Sequence, residues 1–175
     1  MWTRIKQVLR YLFRRMGPEE KALVQRFLDE QEQVLFWTMG EGDQLHCVSV
    51  AREIFKEDLS LEEKTLLVKA ALLHDVGKAV GALSLLDRIL YTIVDRLVPF
   101  YLTDLQAPTR ARSFLERRRQ ALVILHQHAQ LGARMVEKIG CAPEVVALVE
   151  AHHRNSSEGR DWQLLRLLQR ADQRN

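Results

Sequence analysis

An apolar run from Leu66 to Leu73 ends in two ligand-capable residues, His74 and Asp75, followed after Val76 and Gly77 by Lys78. A helix that apolar is expected to be buried, and a histidine and a carboxylate extending it incur a large desolvation cost unless they are paired. Two partners can satisfy them. One is an internal ion pair between Asp75 and Lys78; the other is a metal ion. The remaining histidines, and an aspartate near the C-terminus, are the groups that can converge on this helix end.

The chain has 175 residues, which predicts one domain with room for a real core. Eight glycines and four prolines stand against plentiful Leu, Arg, Glu, Gln and Ala, and no stretch carries a strand signal, so the expected class is all-α. The net charge of +3 does not by itself imply nucleic-acid binding, and no stable nucleic-acid complex is expected. Cys47 and Cys141 follow no zinc spacing and read as reduced thiols. Residues 82–102 are the most apolar, but Asp87, Arg88, Asp95 and Arg96 interrupt them, so no membrane span is expected. Arg10, Arg14 and Arg15 interrupt any signal-peptide core, which leaves a cytoplasmic location as the expectation.

In chain order, residues 2–16 read as a basic amphipathic helix, with Trp2, Ile5, Leu9, Leu12, Phe13 and Met16 on one face. Such a helix either packs on its own domain or lies against a membrane or partner. Pro18 opens a helix expected to run to about Met39, with Leu23, Phe27, Val34, Leu35 and Phe36 in the core. Asp43 is expected to cap the next helix, which carries His46 in its first turn and runs to Phe55. Ser60 and Glu63 form a capping box for the helix ending at His74. Residues 84–97 have helical periodicity, and Pro99 and Pro108 break the stretch beyond them. The arginines at 110, 112, 117, 118 and 119 read as a solvated face or a phosphate-facing rim. A further helix is expected to begin near His126 or His128 and end at Gly140; Pro143 opens the next, and Asp161 caps the last, which bears Asp172.

The placement of the six histidines carries more information than their number. They occur as His46, the His74-Asp75 pair, His126-x-His128 and the His152-His153 pair, each near a predicted helix end. Imidazole nitrogen with carboxylate oxygen suits Zn, Fe, Mn, Co or Ni better than Mg or Ca. Each has a plain alternative when taken alone: a surface His46, a His pair on the last carbonyls of a helix, a solvated Asp172.

Taken together, His46, His74-Asp75 and Asp172 resemble the H…HD…D pattern of the HD-domain superfamily of metal-dependent phosphohydrolases. Leu73-His-Asp-Val-Gly-Lys78 is similar to the HD-x-GK form of its HDIG and HD-GYP branches, His128-Ala-Gln-Leu-Gly-Ala133 to their HPxxGA segment, and Ala151-His-His153 to their HH pair. The HH pair is not succeeded by a GYP-type loop; Arg154-Asn-Ser-Ser-Glu-Gly-Arg160 stands there instead. The resemblance implies a helical HD bundle over residues 43–175, preceded by a helical extension over 1–40 and interrupted by a helical insertion over about 83–119. It implies that His46, His74, Asp75 and Asp172 hold one divalent transition metal. His128, His152 and His153 would hold a second, with Asp75 bridging. It further implies hydrolysis of a phosphomonoester or phosphoanhydride, nucleotide-derived, by metal-bridged hydroxide attack. In that scheme Lys78 neutralises phosphoryl charge, His126 supports a ligand or acts as general acid, and Arg154 is a candidate substrate contact. Two rival readings stand beside it: a non-catalytic HD-fold module that senses a nucleotide, and a membrane-peripheral regulator using residues 2–16.

Overall fold

Four helix starts share one device, in which a Ser or Asp side chain accepts from the backbone three residues on and an acidic side chain there reaches back. The pairs are Asp29 with Glu32, Ser60 with Glu63, Ser84 with Asp87, and Ser113 with Glu116. The structure is a computed structural model that describes residues 15–81, 83–98, 100, 102, 105, 113–154 and 160–175, without the side chains of 160–162. Its helices are α1 (Pro18–Phe27), α2 (Glu30–Phe36), α3 (Glu41–Ile54), α4 (Leu61–Leu73), a 3-10 turn (Val76–Val80), α5 (Leu85–Leu97), α6 (Phe114–Lys138), α7 (Pro143–Ala151) and α8 (Arg160–Arg174). Among the described residues there is no strand, so the all-α expectation holds.

The apolar run preceding His74 is the axis of the fold. On α4, Leu67, Val68, Ala70, Ala71, Leu72 and Leu73 are completely buried. Helices α1, α2, α3, α7 and α8 all pack around α4, and α6 packs on α7 and on the 3-10 turn. One core cluster runs from Met16 to Ala171, and a smaller one joins Leu102, Leu105, Leu122 and Val123 beneath α5. Leu165 and Leu168 seat α8 in the main core, with Leu164 packed at its edge, as expected for a helix that must hold Asp172 near a chain end.

Several elements differ from the sequence expectation. The helix expected from Pro18 to Met39 is two helices, because Leu28 is extended and Asp29 caps a new start by accepting from the Glu32 amide. Val34 is 70% exposed, so it is not core. Asp43 does not cap α3, which starts at Glu41 behind Gly40. Asp43 is buried and takes both terminal nitrogens of Arg88, each at 2.7 Å. Helix α6 begins at Phe114, twelve positions before His126, so His128 sits well inside a helix rather than at its end. Arg118 is not solvated: it donates to Asp87 at 2.6 Å and to Ser84 at 2.9 Å, tying α6 to the cap of α5. Asp161 lies within α8. The expected helix over residues 2–16 falls mostly outside the described residues; Arg15, Met16 and Gly17 are not helical. Pro99, Pro108 and the 155–159 segment also lie outside them. Gly140 ends α6 with φ at 82°, the left-handed conformation glycine adopts without penalty.

Candidate metal centre

His74 and Asp75 leave α4 as it turns into the 3-10 segment, and both are buried. That segment lies so close to α6 that a Cβ on Gly77 would fall 1.9 Å from the His128 carbonyl oxygen. Gly77 faces Gly132 of α6 in this approach, which brings Asp75 Oδ1 to 3.3 Å from His128 Nε2. The glycines of the two motifs thus serve one purpose: they let two backbones touch so that Asp75 and His128 can meet.

Six further side chains gather around Asp75. His46 Nε2 meets Asp172 Oδ1 at 2.8 Å, and His74 Nε2 lies 3.7 Å from the same oxygen. Asp75 Oδ2 faces this group, 3.6 Å from His74 and 4.0 Å from His46. On the other side, His128 Nε2 lies 3.2 Å from His152 Nε2 and 3.1 Å from His153 Nε2. The sequence-derived ligands therefore fall into two groups, His46–His74–Asp172 and His128–His152–His153, each with ligand atoms within 4.8 Å of one another, and Asp75 presents one oxygen to each. Lys78 completes the cluster by donating to Asp75 Oδ2 at 2.6 Å. The ion pair and the convergence of metal-capable ligands, alternatives in the sequence, occur together.

The imidazoles are oriented by a device no sequence pattern shows. His74, His128 and His152 each place Nδ1 on the carbonyl three residues earlier: Ala71 at 2.8 Å, Leu125 at 2.6 Å and Val149 at 2.6 Å. A carbonyl only accepts, so Nδ1 carries the proton and, in the neutral ring, Nε2 carries the lone pair. Nε2 of His128 and of His152 then point lone pairs at each other, and His153 can donate to only one of them. His74 Nε2 is buried without a hydrogen-bond partner. Converging acceptors and an orphaned buried nitrogen are what a cation satisfies, and buried histidines that donate from one nitrogen while offering the other are typical metal ligands. These groups could hold a metal ion. The donor set fits: three nitrogens and an Asp75 oxygen on one side, two nitrogens and two carboxylates on the other, a mixture suited to transition metals.

Cys47 also approaches, with Sγ 3.7 Å from His74 Nδ1. It faces the nitrogen already engaged by Ala71, and burial raises its pKa, so it stays a thiol and packs behind the ring. His126 does not join the cluster. It lines an open depression on another side of α6 with Gln127, Gln130, Leu131 and Arg134, and no hydrogen bond or ion pair links it to the site among the described residues. Arg154 is exposed and pairs with Glu150 at 2.7 Å.

The electrostatics separate the two groups. Burial opposes a charged His74, but the Asp75 carboxylate beside it leads the effects that outweigh burial and raise its pKa well above 6.5. Burial opposes the charged form of Asp75 too, yet His74 and Lys78 hold its pKa well below the usual carboxylate range. Burial, then the charges on His74, His153 and His128, push His152 well below 6.5. Burial, followed by the charge on His128, pushes His153 down to about 4. In the metal-free chain the two groups act on stability with opposite sign. The raised His74 gives stability that is present below pH 6.5 and lost as pH rises through its folded value. The depressed His153 gives stability that is present above pH 6.5 and lost as pH falls toward about 4. An ion entering beside His74 must displace a proton near neutral pH, whereas His152 and His153 have none to lose. Titration calorimetry at pH 7 in buffers of different ionisation enthalpy is expected to show proton release on loading, with His74 as a contributor. Release of none contradicts that assignment.

Comparison with protein-family models, with curated proteins and with solved structures gives no match. Among the described residues, no helix is long and apolar enough to cross a membrane.

Proposed function

We propose that this chain is a metal-dependent phosphohydrolase of the HD-domain type, with a two-ion centre and a phosphomonoester or phosphoanhydride, nucleotide-derived, as substrate. The observation that supports this reading best is Asp75, with Oδ2 toward His46, His74 and Asp172 and Oδ1 toward His128. A carboxylate presenting its two oxygens to two ligand groups is the arrangement of a bridge between ions. His46, His74 and Asp172 would hold one ion and His128, His152 and His153 the other, with Fe, Mn, Co, Ni or Zn favoured over Mg by the nitrogen-rich donors. Such a pair of ions supplies an activated water and positive charge on the phosphoryl oxygens.

The protein's own groups prepare that chemistry. The carbonyls of Ala71, Leu125 and Val149 lock three rings with Nε2 inward, so none of these three has to rotate as substrate arrives. Leu72, Leu73, Val149 and Leu168 bury the elements behind the ligands and lower the local dielectric, which strengthens each charge in the site. Lys78, one-fifth exposed, carries the ammonium nearest the bridging oxygen and is the residue placed to meet a phosphoryl oxygen.

A phosphatase screen with p-nitrophenyl phosphate and nucleoside mono-, di- and triphosphates, in Mn, Fe, Co and Mg, tests the reading. Turnover that requires metal and stops with chelator is expected; metal binding without turnover on any ester would make the chain a binding module instead. Lys78→Met is expected to lower kcat about 10²–10³-fold with both ions retained. An unchanged rate removes Lys78 from the mechanism.

A further inference from the structure

Helix α5 turns its polar side inward. Asp87 is buried against Arg118, and Arg88 reaches across to Asp43 of α3. Tyr91 and Val94 are the apolar residues it packs on the small cluster beneath. The rest of its apolar side faces out: Leu86 is 69% exposed, Ile89 48%, Ile93 50% and Leu97 72%, at the three- and four-residue steps of one helical stripe. Leu85, Leu90 and Val98 widen it, and Phe100 is 83% exposed just beyond. Phe114 and Leu115, on the first turn of α6, are 60% and 76% exposed. Arg118 links this turn to α5, lying 5.0 Å over the Phe114 ring while it holds Asp87. An exposed apolar stripe rimmed by polar residues marks an interaction face.

We propose that the outer face of α5, with Phe100 and the first turn of α6, is a membrane-docking surface that lies on anionic lipid bilayers. Three observations choose this occupant. First, the rim is basic. Arg117 and Arg119 are exposed on α6, and Arg96 is exposed on α5. At 100° per residue Arg96 falls beside the apolar stripe and Asp95 on the side of the helix away from it. An aliphatic stripe bordered by arginines is the pattern of a helix lying in the lipid headgroup region. Second, a twofold contact between copies would bring two patches with the same basic rim together, because such an interface pairs one patch with itself. Third, the chain carries a second basic apolar segment in residues 2–14. The sequence of that segment is itself basic and apolar by turns, with Arg4, Lys6, Arg10 and Arg14 among Trp2, Ile5, Leu9 and Phe13. Two basic apolar segments in one chain reinforce each other on an anionic surface, where each further basic residue adds attraction.

The test is co-sedimentation of the full chain with vesicles of phosphatidylcholine alone or mixed with phosphatidylglycerol. Binding to the mixed vesicles is expected, weak on phosphatidylcholine and weakened by salt. The pair Ile93→Glu and Leu97→Glu is expected to cut the bound fraction about tenfold or more, since both apolar side chains then leave the lipid. The uncharged pair Ile93→Asn and Leu97→Gln is expected to weaken binding as well, and Thr92→Glu, off the stripe, to weaken it far less. Helical circular dichroism and metal-dependent phosphatase activity on a soluble ester are expected to stay at wild-type levels in all three, which separates this surface from the metal centre. No binding to mixed vesicles, or equal binding to both kinds, overturns the proposal. So does a dimer in sedimentation velocity that the Glu pair returns to monomer while vesicles fail to bind.

Discussion

Replacing Asp75 by asparagine is expected to abolish metal binding in both ligand groups and to lower phosphatase activity about a thousandfold or more, because the residue acts as one unit with its ligands. The change keeps the shape of the side chain and removes its charge. Each oxygen of Asp75 serves a different group, with Oδ1 at 3.3 Å from His128 and Oδ2 at 3.6 Å from His74, so one substitution reaches both. His153→Ala, which touches only the His128 side, is expected to lose one ion and keep the other. Asp75→Asn would also leave the Lys78 ammonium without its carboxylate, and breaking a buried ion pair from one side costs about 3–5 kcal/mol. Metal content by mass spectrometry, kcat on the best ester of the screen and urea denaturation of the metal-free protein read these effects separately. Retention of two ions by the asparagine variant would sink the bridging role.

Gly77→Ala is expected to be nearly as damaging, although residue 77 offers no ligand. The added Cβ would lie 1.9 Å from the His128 carbonyl oxygen and 2.7 Å from the Gly132 nitrogen, both backbone atoms of α6 that cannot swing aside. Either the 3-10 turn or α6 must move, and Asp75 then parts from His128. Overpacking of this kind costs about 1–3 kcal/mol or more, and the separation of Asp75 from His128 is expected to remove most activity. Gly132→Ala is the graded comparison. Its Cβ would meet Gly77 N at 3.2 Å and Val149 Cγ1 at 3.3 Å, a tighter contact than usual but one that small shifts relieve. A milder loss is therefore expected there. Thermal unfolding and activity of the pair check the order; a Gly77→Ala protein with wild-type stability and metal content would contradict the close-approach account.

Local chemistry made much of this fold legible. The apolar run ending at His74, the Ser60–Glu63 box, Gly140 and Pro143 each sit where their residue types predict. The seven candidate ligands were picked from the order of their motifs, and their side chains lie together around Asp75. Other features were local but masked. The Asp29–Glu32 box was present in the sequence, yet apolar spacing continued across it and hid the break. Ser113 and Glu116 announced α6, but the arginine run beside them read as solvated surface. The rest is tertiary. Asp43 is a plausible cap by spacing until Arg88, distant in sequence, takes it as a partner. Periodicity showed α5 as amphipathic but not that its polar side turns inward. The tautomers of His74, His128 and His152 depend on which carbonyl each ring reaches; the two-residue offset of His126 from His128 set it apart from the candidate ligands, but did not show that it lines a separate depression.

The central claim is that Asp75 stands between two metal ions. Anomalous diffraction from crystals of the full chain grown with Mn, collected on both sides of the Mn absorption edge, tests it most directly. The account predicts two anomalous peaks a few ångströms apart, one among His46, His74 and Asp172, the other among His128, His152 and His153, with an Asp75 oxygen on each. A single peak that leaves either group without an ion, or peaks away from Asp75, would contradict it.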